Sequence, residues 1–62
     1  MTRESLLAMD PNILVSILNM KLRDQYSSLE AFCEDINISE EEVIKKLSSV
    51  DKIYDKETNQ FK

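Results

Sequence analysis

A few side chains in this sequence could carry chemistry, and their spacing decides which chemistry is open to them. Cys33 is the only thiol among 62 residues, and the chain contains no His and no Gly. Without a second Cys or a His, the thiol lacks partners for a metal site and a base that would activate it. A phosphate-binding loop would require Gly. We therefore expect no metal and no cofactor, and we interpret Cys33 as a small, buried, inert residue.

Paired carboxylates are the next candidates for chemistry. Glu34 and Asp35 are adjacent, and adjacent residues of a helix do not face each other, so they do not form an acid–base pair. A chain this short also offers little material for an enclosed substrate pocket. The sequence therefore predicts that the protein is not an enzyme.

Acidic residues are concentrated in one segment. The chain holds eight Lys and Arg against twelve Asp and Glu, for a net charge of −4, yet residues 25–44 contain six acids and no base. An acidic surface can bind a basic protein partner, although acids in a first helical turn also stabilise the helix through its dipole. The candidates for a partner surface are Glu30, Glu34, Glu40, Glu41 and Glu42.

Lysines supply the alternative, which is nucleic-acid binding. Phosphate contacts are made mainly by Lys and Arg, and an acidic segment meeting a duplex would be repelled. Contact with DNA would therefore have to come from the C-terminal third of the chain. The candidate residues there are Lys45, Lys46, Lys52, Lys56 and Lys62.

Three helix-start signals set out the elements that must position these residues. Asp10 followed by Pro11 predicts a helix over residues 11–25. Ser27 with Glu30 three positions later reads as a capping box for a helix over 28–36, and Ser39 with Glu42 does the same for 40–49. The sequence therefore predicts three helices within residues 10–50.

The C-terminal segment predicts a β-hairpin. After Val50 the helical pattern ends, and β-favouring residues flank the turn-forming segment 55–59. We expect a hairpin over residues 52–61, packed on the helices through Ile53 and Phe61, since an isolated hairpin is unstable in water. The chain 1–62 is then one domain, with 51–62 as the hairpin region and 1–9 as an N-terminal segment, flexible or ordered.

The spacing around the second and third helices resembles a helix-turn-helix. That pattern needs a small residue, a turn residue that accepts positive φ, an apolar plug, a helix cap and two core residues. In order, these are Cys33, Asn37, Ile38, Ser39, Val43 and Leu47. With the hairpin, the expected fold is a mostly α, helix-turn-helix-like domain, a minimal winged helix. The fold alone does not establish DNA binding.

The first predicted helix carries more apolar residues than one buried stripe requires. Leu14, Leu18 and Leu22 repeat at intervals of four, whereas Val15 and Met20 lie off that line. Either the helix is central and covered all round, or part of it forms a homodimer or partner interface. The sequence leaves both interpretations open.

A longer resemblance covers the chain from about residue 10 to its end. The segments that carry this resemblance are Asp10-Pro11-Asn12, Lys21 through Leu29, Tyr54-Asp55 and Asn59-Gln60-Phe61. They resemble a family of short, uncharacterised bacterial proteins, a domain of unknown function that ends in an Asn-Gln-Phe signature. The resemblance implies a bacterial, intracellular, stand-alone domain and carries no activity. Many members have Gly-Tyr before the hairpin, where this chain has Asp51-Lys52.

Together these observations favour a non-enzymatic, helix-turn-helix-like interaction module that binds a protein partner or itself. Val15 and Met20 join the acidic residues as contact candidates. The alternative is a small DNA-binding transcriptional regulator. No apolar run reaches membrane-spanning length, and a single Cys gives no sign of an oxidising compartment. We therefore expect a cytoplasmic protein.

Overall fold

A computed structural model describes all residues, 1–62. The chain forms four helices and one two-stranded antiparallel sheet. Their bounds are α1 Arg3–Ala8, α2 Pro11–Asp24, α3 Leu29–Ile36, α4 Glu40–Ser48, β1 Tyr54–Asp55 and β2 Gln60–Phe61. The mostly helical fold with a C-terminal hairpin is therefore confirmed, with one helix more than the three predicted.

The additional helix is α1, in the N-terminal segment whose order the sequence left open. Thr2 and Ser5 form a capping box, because each hydroxyl accepts the main-chain N–H of the other residue, at 3.0 and 3.1 Å. Leu6 is fully buried in the core. At the other end of α1, the Lys46 ammonium donates to the carbonyl oxygen of Leu7 at 2.9 Å. The burial of Leu6, the Lys46 contact and an ion pair between Arg3 and Glu42 thus hold this short helix on the domain.

The start of α2 matches its sequence signal. The Asp10 carboxylate accepts the N–H of Asn12 at 2.8 Å, and Pro11 occupies the first helical position. One side of α2 then supplies three buried residues to the core: Leu14, Leu18 and Leu22. The predicted α2 stripe is confirmed.

The start of α3 lies one residue later than predicted. The cap is Ser28, whose hydroxyl accepts the N–H of Ala31 at 3.1 Å, so the proposed box between Ser27 and Glu30 is wrong. Two consecutive serines give two possible caps, and the burial of Leu29 as the first helical residue selects the second. The Ser39 cap of α4 is as predicted, with its hydroxyl accepting the N–H of Glu42 at 3.1 Å.

The hairpin packs on α2 through one face only. Tyr54 pairs with Phe61 across the sheet, Phe61 is buried, and their rings lie 5.3 Å apart. Ile53 is 70% exposed, so its predicted role in packing is wrong. Successive strand residues point to opposite faces, and Tyr54 rather than Ile53 is the residue facing the helices.

The Asn-Gln-Phe signature has a structural role. The amide nitrogen of Asn59 donates to the carbonyl oxygens of Leu22 and Tyr26, both at 3.0 Å, which satisfies acceptors at the C-terminal end of α2. The Gln60 amide donates to the carbonyl oxygen of Asn19, also at 3.0 Å. Together with the buried Phe61 ring, these contacts fix the hairpin on α2.

A single core holds the elements together. It contains eleven buried residues and no buried polar side chain. They come from all four helices, the α3–α4 turn and β2: Leu6, Leu14, Leu18, Leu22, Leu29, Phe32, Cys33, Ile38, Val43, Leu47 and Phe61. With so small a core, each contact between elements is a large share of the total stability.

Candidate functional site

The turn between α3 and α4 has the geometry that the helix-turn-helix spacing predicts. Asn37 adopts the left-handed conformation, with φ of 58°, and the N–H of Ile38 reaches back to the carbonyl oxygen of Cys33 at 3.0 Å. Cys33 and Ile38 are buried, as are Val43 and Leu47 on α4. Four of the six residues of the pattern are therefore core positions that cannot contact a partner, whereas Asn37 and Ser39 are exposed.

The Cys33 thiol is buried, and its raised pKa keeps it protonated at neutral pH. Burial raises its pKa to about 11, and the nearby carboxylates of Glu40 and Glu42 add to the shift. A protonated thiol is neither a nucleophile nor a metal ligand. The structure also contains no group of three or more His, Cys, Asp and Glu side chains that could hold a metal ion.

The acidic candidates lie on the α3–α4 side of the domain. Glu30 and Glu34 are exposed on α3, and Glu40 and Glu41 are exposed in the first turn of α4. Glu42 differs, because it is half-buried. Its carboxylate accepts from the Ser39 hydroxyl at 3.2 Å and pairs with the Arg3 guanidinium at 2.8 Å. Four carboxylates of the predicted surface are thus free of ion pairs, and the fifth joins α4 to α1.

The lysine candidates do not form a continuous basic patch. The Lys46 ammonium donates to the carbonyl oxygen of Leu7, and the ammonium of Lys62 lies 3.5 Å from the Asp55 carboxylate. Lys52 is half-buried, while Lys45 and Lys56 are exposed.

Lys45 and Lys56 also share their surroundings with acids. An open depression of about 310 Å³ places Lys56 with Glu30 and Glu40. A second, of about 320 Å³, places Lys45 and Lys46 with Glu42. A phosphate backbone would therefore meet both signs of charge in either depression.

The outer side of α2 holds the largest exposed apolar group on a helix. Met20 is 50% exposed and Ile13 is 57% exposed, with Ile17 half-buried between them. Residues 13, 17 and 20 follow a spacing of four and three, so they share one side of the helix, away from Leu14, Leu18 and Leu22. We call these three residues the α2 face.

The structure separates the two α2 residues that the sequence grouped as contact candidates. Met20 belongs to the α2 face, but Val15 is half-buried and packs against the core. Ile13 takes the place expected of Val15. The sequence contained the necessary signal, because Ile13 lies four residues before Ile17 and seven before Met20.

The aromatic residues are engaged within the fold. The Tyr26 ring lies edge-on to Phe32 with centroids 5.3 Å apart, and its hydroxyl donates to Asp35 at 2.6 Å. The Tyr54 hydroxyl donates to the side-chain oxygen of Asn59 at 2.6 Å and accepts the N–H of Leu29 at 3.2 Å. These rings join elements and do not form an exposed platform for bases.

None of the four helices combines the length and the apolar character that a membrane span requires.

Comparison with known proteins gives a family and no function. No curated protein and no solved structure matches the chain. A family model does match, over residues 8–61, which covers all but the first seven residues and the last one. The chain therefore belongs to the family described as Domain of unknown function (DUF4250).

Proposed function

We propose that this domain is a non-enzymatic interaction module that binds a protein partner, or a second copy of itself, through the α2 face. The observation that carries the proposal is that α2 is apolar on two sides. Leu14, Leu18 and Leu22 fill the core, while Ile13 and Met20 are half or more exposed on the other side.

The exposed side chains of the α2 face contribute little to stability unless a partner covers them and removes their apolar surface from water. Burying apolar surface contributes about 25 cal/mol per Å², and the stability of a domain of this size amounts to only about 3–5 kcal/mol. Single exposed apolar residues are ordinary on protein surfaces, whereas a contiguous group on one helix is typical of an interaction site. Ile13, Ile17 and Met20 form such a group over two helical turns.

The exposed carboxylates offer a separate surface for a basic partner. Glu30, Glu34, Glu40 and Glu41 stand on neighbouring helices with no Lys or Arg pairing them. Reversing Glu40 and Glu41 to Lys should weaken capture of such a partner without loss of helical signal. Unchanged capture would restrict the proposed module to the α2 face.

The alternative function is a small DNA-binding transcriptional regulator, in which the hairpin is a minimal wing. The helix-turn-helix geometry at Asn37 favours it, but the first turn of α4 presents Glu40 and Glu41 where a recognition helix contacts bases. Titration against a labelled duplex at about 50 and about 200 mM salt distinguishes the two. Binding that weakens as salt rises, and is lost in Lys45→Ala and Lys56→Ala, would replace our proposal with this alternative.

We also infer a bacterial, cytoplasmic setting and no catalytic activity. The family resemblance supports the bacterial source, and the lone thiol fits a reducing compartment. The raised pKa of Cys33 supports the absence of nucleophilic catalysis.

Site-specific photo-cross-linking, in cells that express the protein, tests whether a partner binds the α2 face. A benzophenone amino acid replaces Met20 in one variant and Ile53 in a matched control, since both side chains are exposed and apolar. We expect a discrete covalent adduct from position 20, no such adduct from position 53, and loss of the adduct when Ile13→Glu is added. Equal labelling from both positions, or none from position 20, would refute the proposed function.

A further inference from the structure

We propose that the α2 face is covered by the α2 face of a second copy of this chain, with the two helices antiparallel about a two-fold axis near Ile17. This inference rests on the proposed function, because it names the partner of the same surface. It follows from the symmetry of the apolar residues and from the charges that flank them.

The apolar residues suit an antiparallel pair. The α2 face is centred between residues 16 and 17, with Ile13 on one side of that point and Met20 on the other. A two-fold interface brings the same patch of both copies together. In the antiparallel arrangement Ile13 lies opposite Met20 of the partner subunit, and the two Ile17 side chains meet near the axis.

Charge selects the antiparallel direction. Asp10 and Lys21 are eleven residues apart, about three helical turns, so they flank the same side of the α2 face at opposite ends. An antiparallel pair places Asp10 of each copy near Lys21 of the other. A parallel pair would place both copies of Asp10 at one end of the contact and both copies of Lys21 at the other, so no pair of opposite charges could form between them.

Asp10 and Lys21 are both available to form an ion pair with the second copy. Lys21 forms no ion pair within its own chain. Asp10 is exposed, and one oxygen of its carboxylate accepts the N–H of Asn12, which leaves the other oxygen open. The macrodipoles of antiparallel helices also place opposite partial charges side by side.

The size of the contact predicts a weak dimer. The fourteen residues of α2 span about 21 Å. A stable interface of standard size buries about 800 Å² per partner, which is about a fifth of the 4037 Å² exposed by this chain. A single helix pair covers less, so we expect the dimer to dissociate on dilution.

Sedimentation equilibrium tests the dimer directly. Over protein concentrations of roughly 10 μM to 1 mM, a range suited to a weak complex, the mass should rise from 7.2 kDa towards twice that value. Met20→Glu should stay at the monomer mass, whereas Ile53→Glu, an equal charge change at another exposed apolar residue, should associate like the parent. A parent that is monomeric throughout the range overturns the inference.

Disulfide trapping tests the direction of the helices. Ile13→Cys and Met20→Cys are prepared separately in a Cys33→Ala background and mixed in equal amounts under mild oxidation. In the antiparallel pair the two copies of position 13 are offset along the helix by about 10 Å, beyond the Cα separation of about 7 Å that a disulfide tolerates. A mixed disulfide between positions 13 and 20 should therefore predominate. Predominance of disulfides that join position 13 to itself and position 20 to itself would refute the antiparallel pair.

A charge variant gives a second readout that does not depend on the Cys33→Ala background. Lys21→Glu should lower the dimer fraction, because it faces Asp10 of the partner subunit, and Asp10→Ser, which keeps a helix cap, should partly restore association. Lys45→Glu is the control with the same change of net charge. Equal effects of Lys21→Glu and Lys45→Glu would overturn the charge argument.

The mass of the photo-cross-linked adduct separates this inference from the function on which it rests. An adduct from position 20 at twice the chain mass supports both. An adduct of another mass supports an interaction module and overturns the second copy as its partner. The absence of any specific adduct overturns both proposals.

Discussion

The side-chain amide of Asn19 pairs with both main-chain polar groups of Phe61. Its oxygen accepts the N–H of Phe61 at 2.7 Å, and its nitrogen donates to the carbonyl oxygen of Phe61 at 3.1 Å. The edge of β2 thus finds its partner in a helix side chain rather than in a third strand. A two-stranded sheet, which is marginal alone, is completed in this way by α2.

Replacement of Asn19 by Ala should lower the free energy of unfolding by about 2 kcal/mol, because two half-buried main-chain groups lose their partners. Urea denaturation measures the change. Asn12→Ala is the control, since Asn12 lies exposed near the start of the same helix and gains the same helix propensity. Equal stabilities of the two variants would contradict the role assigned to Asn19.

Two substitutions at Asn59 distinguish the contribution of its side-chain hydrogen bonds to stability from that of its backbone conformation. Asn59 has a φ of 56° and makes three side-chain hydrogen bonds. Asn59→Gly keeps the backbone conformation and loses the hydrogen bonds, so we expect a loss of about 2 kcal/mol or more. Asn59→Ala should lose about a further 1 kcal/mol, because Ala is disfavoured at positive φ. Parent-like stability of the Gly variant would show that the hydrogen bonds contribute nothing.

Asp51→Gly should stabilise the protein. Asp51 lies three residues after the end of α4 and has a φ of 60°, a conformation that Gly adopts without a steric penalty. We expect a gain of about 0.5–1 kcal/mol in chemical denaturation. Ser49→Gly, at a position with φ of −64°, should instead be neutral or destabilising.

The buried thiol makes stability sensitive to alkaline pH. Burial raises the pKa of Cys33 to about 11, so the folded chain holds this proton more tightly than the unfolded chain, whose thiol titrates near 8.5. The thiol's contribution is complete below pH of about 8.5 and is lost as pH rises towards about 11. Cys33→Ala should show a shallower loss of stability across this window, and parallel curves would contradict the shift.

Lys46 should control the docking of α1. Its ammonium is the polar contact that holds the end of α1 near α4, so Lys46→Ala should speed hydrogen exchange at the amides of Leu6 and Met9. Lys45→Ala removes an exposed charge from the neighbouring position and should leave this exchange unchanged. Retained protection in the Lys46 variant would mean that burial of Leu6 and the Arg3–Glu42 ion pair hold the helix without the Lys46 contact.

Local signals in the sequence predicted most helix boundaries, and contacts between distant residues account for the errors. Asp10 and Ser39 cap their helices through neighbours within three residues, so their roles could be read directly. The helix α1 is only six residues long, and its polar contacts with the rest of the domain come from Glu42 and Lys46, which lie 39 residues away from Arg3 and Leu7. No local pattern contains that information.

The inward-facing residue of the hairpin could not be predicted from the sequence, for a different reason. The β-favouring pair Ile53-Tyr54 indicated a strand, but a strand of two residues has too short an alternation to fix its inward face. The hydroxyl contacts of Tyr54 with Asn59 and Leu29 decide which residue points inward. The α2 face was found only in part, because Met20 was recognised and Ile13 was not.

The dependence of α2 on Phe61 also sets an order of events during synthesis. The two paired residues Asn19 and Phe61 are 42 positions apart, so at about 5–20 residues per second the nascent chain carries α2 without its hairpin partner for roughly 2 to 8 seconds. Through that interval the side of α2 that the hairpin covers is open to chaperones and to neighbouring nascent chains. Translation of the final strand, rather than of any helix, is the step that ends this exposure.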